Sequence, residues 1–336
     1  MGGNCLKNCV TRRYQKQEYF DLVPNILDRV IRDWFVTRVS LIEAYRNKES
    51  FGDMDVLYST DDNKPFTVST VKSLFPESKE IVRNTNVISF EYKELQIDLI
   101  HVPVESFEYA KSYFSFNDLG NICGRIAHRF GLKHGHLGLF LPIRDESNND
   151  NIIGEVLITR NYSDALMFFD LDPTVFENGF DDLPDMFDYV MSSKWFHPDS
   201  YDLAELSHMH RTRDKKRTTY QGFLEYIKGY SGNFIPRRAD KTFYMEMIFH
   251  SFPQAYDQYS DMMKEMTFKK FVKEKFNGDM VSSLTGLEKK ELGEFMKHLK
   301  TLFWFKPENV VYSTQRQIEE RIMCHYKKWM EINTLL

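Results

Sequence analysis

A chain of 336 residues is too long for one small module and long enough for two or three packed units. With 42% hydrophobic and 28% charged residues it can bury real cores, which excludes a disordered chain. A net charge of −5 excludes a protein that coats nucleic acid indiscriminately, and any phosphate-binding surface has to be a local basic stripe.

Four cysteines, at 5, 9, 123 and 324, form no disulfide framework, and there is no secretory apolar stretch. The expected setting is a reducing compartment, cytoplasmic or nuclear in character, and not the secreted one. Gly2 and Cys5 invite an acylation reading, but Leu6 occupies the position where that pattern requires Ser or Thr, so no membrane partner is expected.

In chain order, Leu22, Ile26, Val30 and Phe35 give residues 17–37 a helical period, with Pro24 placed in the first turn. A second short helix is expected at 39–48. Strand patterns follow at 53–58, 79–83, 87–92 and 95–101, with a helix near 68–75. Residues 105–131 turn helical again, 136–159 form two strands around the polar loop DESNNDN, and 182–192 are helical. Beyond residue 200 the pattern is helical and basic. The whole predicts an α+β fold in three parts: N-terminal helices and a mixed sheet over 1–105, a second α/β part over 106–200, and a helical basic region over 201–336.

The chemistry is concentrated in ESFGDMDVLY, residues 49–58. In a strand, Asp53 and Asp55 project from one face while Met54 points to the other. Two such carboxylates either share a hard divalent cation or lie at a solvated strand end. LQIDLI adds Asp98 between apolar Ile97 and Leu99. Three acids on adjacent strands would hold two magnesium ions roughly 3.5–4 Å apart, an arrangement suited to phosphoryl transfer; the alternative for Asp98 is an exposed strand edge.

ESFGDMDVL resembles the catalytic motif of family X DNA polymerases, the polymerase beta type within the nucleotidyltransferase superfamily. The resemblance implies a nucleotidyltransferase palm, two Mg2+ ions with Mn2+ as a substitute, Asp53, Asp55 and Asp98 as catalytic metal ligands, Gly52 beside the triphosphate, and Arg46 as a phosphate ligand. Ile42 and Glu43 stand where the family has a Gly-Ser pair opening a helix, which leaves Ser40 as the candidate triphosphate contact.

YFSFNDLGNICGRIAHRFGLKHG, residues 113–135, is similar to the family's nucleotide-selection segment. It implies Tyr113 and Phe114 at the sugar, Asp118 and Asn121 at the base, and Arg125 on the templating strand. Ser115 and Phe116 depart from the small pair that usually follows. LPDMFDYVMSSKWF (183–196) is similar to the helix near the family's C-terminal end, and the resemblance spans about residues 35–200.

From residues alone, HMHRTRDKKRTTYQGFLEYIKGY (208–230) offers Arg211, Arg213, Lys215, Lys216 and Arg217 as nucleic-acid contacts. Tyr220, Phe223, Tyr226 and Tyr230 are the stacking candidates, and Arg237, Arg238 and Lys241 extend the charge. The alternative for this stretch is a solvated basic helix face over core aromatics. The expected partners are a nucleoside triphosphate and a nucleic-acid primer or acceptor, DNA before RNA. The expected activity is template-dependent DNA synthesis, with untemplated or transfer-RNA-type nucleotide addition and an inactive nucleic-acid-binding protein as the alternatives.

Overall fold

A computed structural model describes residues 5–144, 151–232, 234–236 and 241–334. Gly2, the DESNND part of the polar loop, Arg237 and Arg238 lie outside the described residues, as does the side chain of Lys241.

The chain opens with strand β1 (Tyr14–Gln15) and helix α1 (Lys16–Ile31). Tyr19, Leu22, Ile26 and Val30, spaced three to four apart, bury one face of α1. The helix starts at Lys16, so Pro24 is in its interior and not in its first turn. There it forgoes one backbone hydrogen bond, a cost offset by the buried face.

Residues 39–48 are not a helix. Val36–Leu41 form strand β2, and 42–49 are loop. The β-branched residues Val36, Thr37 and Val39 suit a sheet, and pairing with β4 provides their backbone partners.

β3 (Ser50–Phe51), β4 (Asp53–Thr60), α2 (Val68–Leu74), β5 (Ile81–Asn84), β6 (Val87–Tyr92) and β7 (Leu95–His101) follow. β5 begins two residues later than its pattern suggested. The main sheet has the order β2-β4-β7-β6-β5; β4 and β7 run parallel and the other neighbours antiparallel. Period-two alternation divides its residues between two faces. Met54, Val56, Tyr58, Ile97 and Leu99 join α1 and α2 in one core. Leu57 and Ile100 point the other way, toward Phe107 and Ala110. Asp53, Asp55 and Asp98 share that second face by the same alternation.

Helices α3 (Phe107–Phe114) and α4 (Leu119–Arg129) come next. Between them Phe116 and Asn117 take the left-handed conformation, at φ 58° and 59°. For phenylalanine this is strained. It is held by burial against Phe176 and Phe180 and by the Phe116 amide donating to the Glu43 carbonyl at 2.8 Å. A second sheet, ordered β10-β9-β8, contains β8 (Lys133–Gly135), β9 (Gly138–Arg144) and β10 (Ile152–Thr159). Helices α5 (Tyr162–Phe168), α6 (Pro173–Asn178), α7 (Leu183–Met191), α8 (His208–Asp214), α9 (Thr218–Tyr226) and α10 (Lys241–Ser251) follow.

The chain divides into two compact units, 1–255 and 256–336. The basic stretch after residue 200 therefore belongs to the first unit. The second contains most of α11 (Gln254–Lys275), then α12 (Gly278–Thr285), α13 (Lys289–Thr301), α14 (Pro307–Tyr312) and α15 (Gln315–Thr334). Its own core includes Val281, Phe295, Leu299, Val310, Ile318 and Ile322. The architecture is mixed α+β with a mixed sheet and a C-terminal helical region. Among the described residues no helix is long and apolar enough to cross a membrane.

Candidate active site

Parallel pairing of β4 with β7 sets Asp55 directly opposite Asp98, and Asp53 follows on the same face two residues before Asp55. Their carboxylate oxygens come within 4.8 Å of one another. Asp98 is buried, and Gln96 Nε2 donates to both of its oxygens at 2.9 and 3.1 Å. The Ser89 side chain, opposite it on β6, also hydrogen-bonds it.

Burial pushes the Asp55 carboxyl up to about 7, and the negative charges of Asp53 and Asp98 add to the effect. Burial also raises Asp98, to about 6, with Asp53 contributing and the Ser89 and Gln96 hydrogen bonds opposing. Like charges confined this closely favour a proton or a cation between them. An all-oxygen donor set of three carboxylates fits a hard divalent ion such as magnesium.

Two cations that the sequence pattern did not single out stand here, Lys48 beside the acids and Arg13 beside Gly52. Lys48, in the loop before β3, lies in the field of Asp53 and Asp55, over the Phe51 ring at 4.8 Å, and reaches Asn117 Oδ1 at 3.4 Å. Burial lowers the pKa of its ammonium while the two aspartates oppose that shift. Arg13 is brought alongside by the short β1–β3 pairing and donates to the Ser50 carbonyl at 2.7 Å. A Cβ on Gly52 would sit 3.0 Å from the Arg13 guanidinium, so the missing side chain leaves room for that cation. A lysine two residues after Arg46 and five before Asp53 was the available sequence signal for Lys48; Arg13 gave none, because only β1 pairing brings it near.

The other anticipated contacts are placed as follows. Ser40 is inside β2, and its hydroxyl donates to the Leu41 carbonyl at 3.0 Å, so no helix N-terminus opens there. Ile42 is buried, and its amide donates to the Asp55 carbonyl at 3.0 Å. Glu43 pairs with Lys111. Arg46 is ion-paired with Asp181 and donates to the Asn178 carbonyl at 2.7 Å, which ties the loop after β2 to the turn between α6 and α7. Tyr113 is half-buried with the charges of Arg213, Arg217 and Arg125 near its hydroxyl, and Phe114 stacks on His136 at 5.3 Å.

Asp118, Asn121 and Arg125 do line up along α4, and the basic stretch lies against them. Asp118 is ion-paired with Arg217. Asn121 accepts a hydrogen bond from Arg213 and donates to Asp214. Arg125 is ion-paired with Asp214, and both are buried. Arg211 donates to the Leu206 carbonyl at 2.9 Å. Lys215 and Lys216 are exposed. Tyr220 and Phe223 are fully buried core residues and cannot stack on bases; spaced three apart on α9, they turn the same face inward. Tyr226 and Tyr230 keep exposed edges.

No known family model matches this chain, and no curated protein matches it by sequence.

Proposed function

We propose that the chain is a magnesium-dependent nucleotidyltransferase with a polymerase-beta-like palm, moving a nucleoside monophosphate from a nucleoside triphosphate to an acceptor hydroxyl and releasing pyrophosphate. The observation that carries the reading is the Asp53, Asp55 and Asp98 set on one face of two parallel strands, with Lys48 beside it. A sheet has no structural use for three mutually repelling carboxylates brought this close.

Bound magnesium would neutralise the three acids and polarise the phosphate and hydroxyl oxygens. Asp53 and Asp55 would hold it from adjacent same-face positions of β4. Asp98, buried and held by Gln96 and Ser89, is the carboxylate that would accept the proton of the attacking hydroxyl. The hydroxyl oxygen forms a bond to the α-phosphorus, and the bond from that phosphorus to the bridging oxygen breaks, leaving pyrophosphate. Gln96 and Ser89 hold the Asp98 carboxylate in register. Lys48 offers a positive charge to phosphate oxygens next to the acids. The acceptor favoured by the resemblance is the 3′-hydroxyl of a DNA strand, with RNA second.

The test is extension of labelled DNA and RNA oligonucleotides with each nucleoside triphosphate and magnesium, beside Asp53→Asn and Asp55→Asn. Magnesium-dependent extension that falls by at least about 10²-fold in both variants is the expected result. Extension that survives both substitutions, or no extension of any oligonucleotide, overturns the reading.

A further inference from the structure

Helix α11 buries almost nothing. Of its 22 residues, Gln254–Lys275, only Ala255 is buried, although a helix draws most of its stability from packing an apolar face. Such a face exists between residues 256 and 271 and is open to solvent: Tyr256 is 53% exposed, Phe268 41% and Phe271 42%, with Tyr259 and Met263 half-buried. Spacings of three and four residues put these side chains, with Ser260 and Thr267, on one stripe of the helix.

The stripe reads alike in both directions. About a midpoint between Met263 and Lys264, Tyr256 matches Phe271, Tyr259 matches Phe268, and Ser260 matches Thr267. A two-fold axis demands this self-complementarity, because residue i of one copy meets residue j of the other and j meets i. Two antiparallel copies would set aromatic rings against aromatic rings at both ends and hydroxyls against hydroxyls further in. Charge favours the same direction. Asp257 and Asp261 occupy the first half of α11, while the second half has Lys269, Lys270, Lys273 and Lys275 against Glu265 and Glu274. Antiparallel order lays the acidic end beside the basic end, and each positive helix N-terminus beside a negative C-terminus. At the midpoint Lys264 keeps its ion pair with Asp261 of its own helix at 3.0 Å, and its apolar stem can cover Met263 of the other copy. Four aromatic side chains per copy, each with about 150–250 Å² to bury, supply contact area on the order of the 1,000 Å² that a specific interface needs.

We propose that α11 is a homodimerisation helix, and that residues 256–271 of two copies pair antiparallel about a two-fold axis between Met263 and Lys264. This interface is independent of the acid cluster and of the transferase reading.

The experiment is analytical ultracentrifugation of the full chain across micromolar concentrations, where a species of twice the 40.0 kDa chain mass is expected. Tyr256→Lys alone and Phe271→Glu alone should each raise the dissociation constant at least about 100-fold, since each buries a charge without a partner. Both positions are exposed in the single chain, so neither substitution touches a core. The double variant Tyr256→Lys, Phe271→Glu should recover the dimer, because the antiparallel register brings the two opposite charges together across the axis. Parallel pairing would set like charge on like and recover nothing. A chain that sediments at 40.0 kDa throughout overturns the proposal and leaves the stripe to a partner other than itself. Single variants that dimerise as tightly as the wild type, or a double variant as weak as the singles, overturn it equally.

Discussion

Arg125 on α4 and Asp214 at the end of α8 form a buried ion pair between residues 89 apart in sequence. Asp214 also accepts from Arg213 at 2.9 Å, so one carboxylate serves two guanidinium groups. Removing it should leave Arg125 buried and unpaired. Asp214→Ala is expected to destabilise the first unit by about 3–5 kcal/mol, whereas a paired Arg125→Met, Asp214→Leu replacement should cost much less. Urea unfolding followed by tryptophan fluorescence measures both; equal losses in the two variants would contradict the pairing.

Gly120 has a different structural constraint. A Cβ there would lie 2.2 Å from the Tyr113 carbonyl oxygen, a rigid backbone atom. Gly120→Ala is therefore expected to cost about 1–3 kcal/mol by forcing α3 and α4 apart. Gly131, with open space around its Cβ position but φ +73°, should lose less on the same substitution. A smaller loss at 120 than at 131 in thermal unfolding would contradict this close approach.

The acid cluster makes stability depend on pH in a definite direction. Asp55 and Asp98 are raised to about 7 and about 6 in the folded chain, above the usual carboxylate range of an unfolded one. Between about pH 4 and 7 the unfolded chain has therefore released protons that the folded chain keeps, and stability falls as pH rises through that window. Without metal, Asp55→Asn should stabilise the protein at pH 8 and have little effect at pH 4. Magnesium should reverse the wild-type loss, and melting curves across pH with and without the ion decide the matter.

Metal affinity follows from the same groups. Binding needs Asp55 and Asp98 ionised, so affinity for magnesium or manganese should climb steeply between about pH 5 and 8 and then level. A flat profile over that range would separate the cluster from metal binding.

Lys48 lowers the Asp55 pKa by its charge. Lys48→Met should therefore move the midpoint of that metal-binding profile to higher pH. It should also weaken nucleoside triphosphate binding by about tenfold, as expected for one lost charge-assisted contact. An unchanged midpoint would place the ammonium away from the acids.

The sequence by itself determined four of the five strands of the main sheet and the face that carries its acids. Alternation in DMDVLY and LQIDLI puts Asp53, Asp55 and Asp98 on the face opposite Met54, Val56, Ile97 and Leu99, and that period needs no tertiary information. It also located β6, β7, α2 and α7 closely, because these segments carry clear periods of 2 or 3.6. Only the tertiary structure decided that 36–41 is a strand, since its pairing with β4 outweighs the local pattern that favoured a helix.

Tertiary structure also decided the register that places Asp55 opposite Asp98, and the approach of Arg13 and Lys48 from sequence-distant or loop positions. The largest difference concerns Arg213 and Arg217. A run of cations is the same string of letters whether it faces solvent or a buried carboxylate. What settles it is the partner, and here the partners Asp118 and Asn121 lie some ninety residues away along the chain, brought close by packing of α8 and α9 on α4.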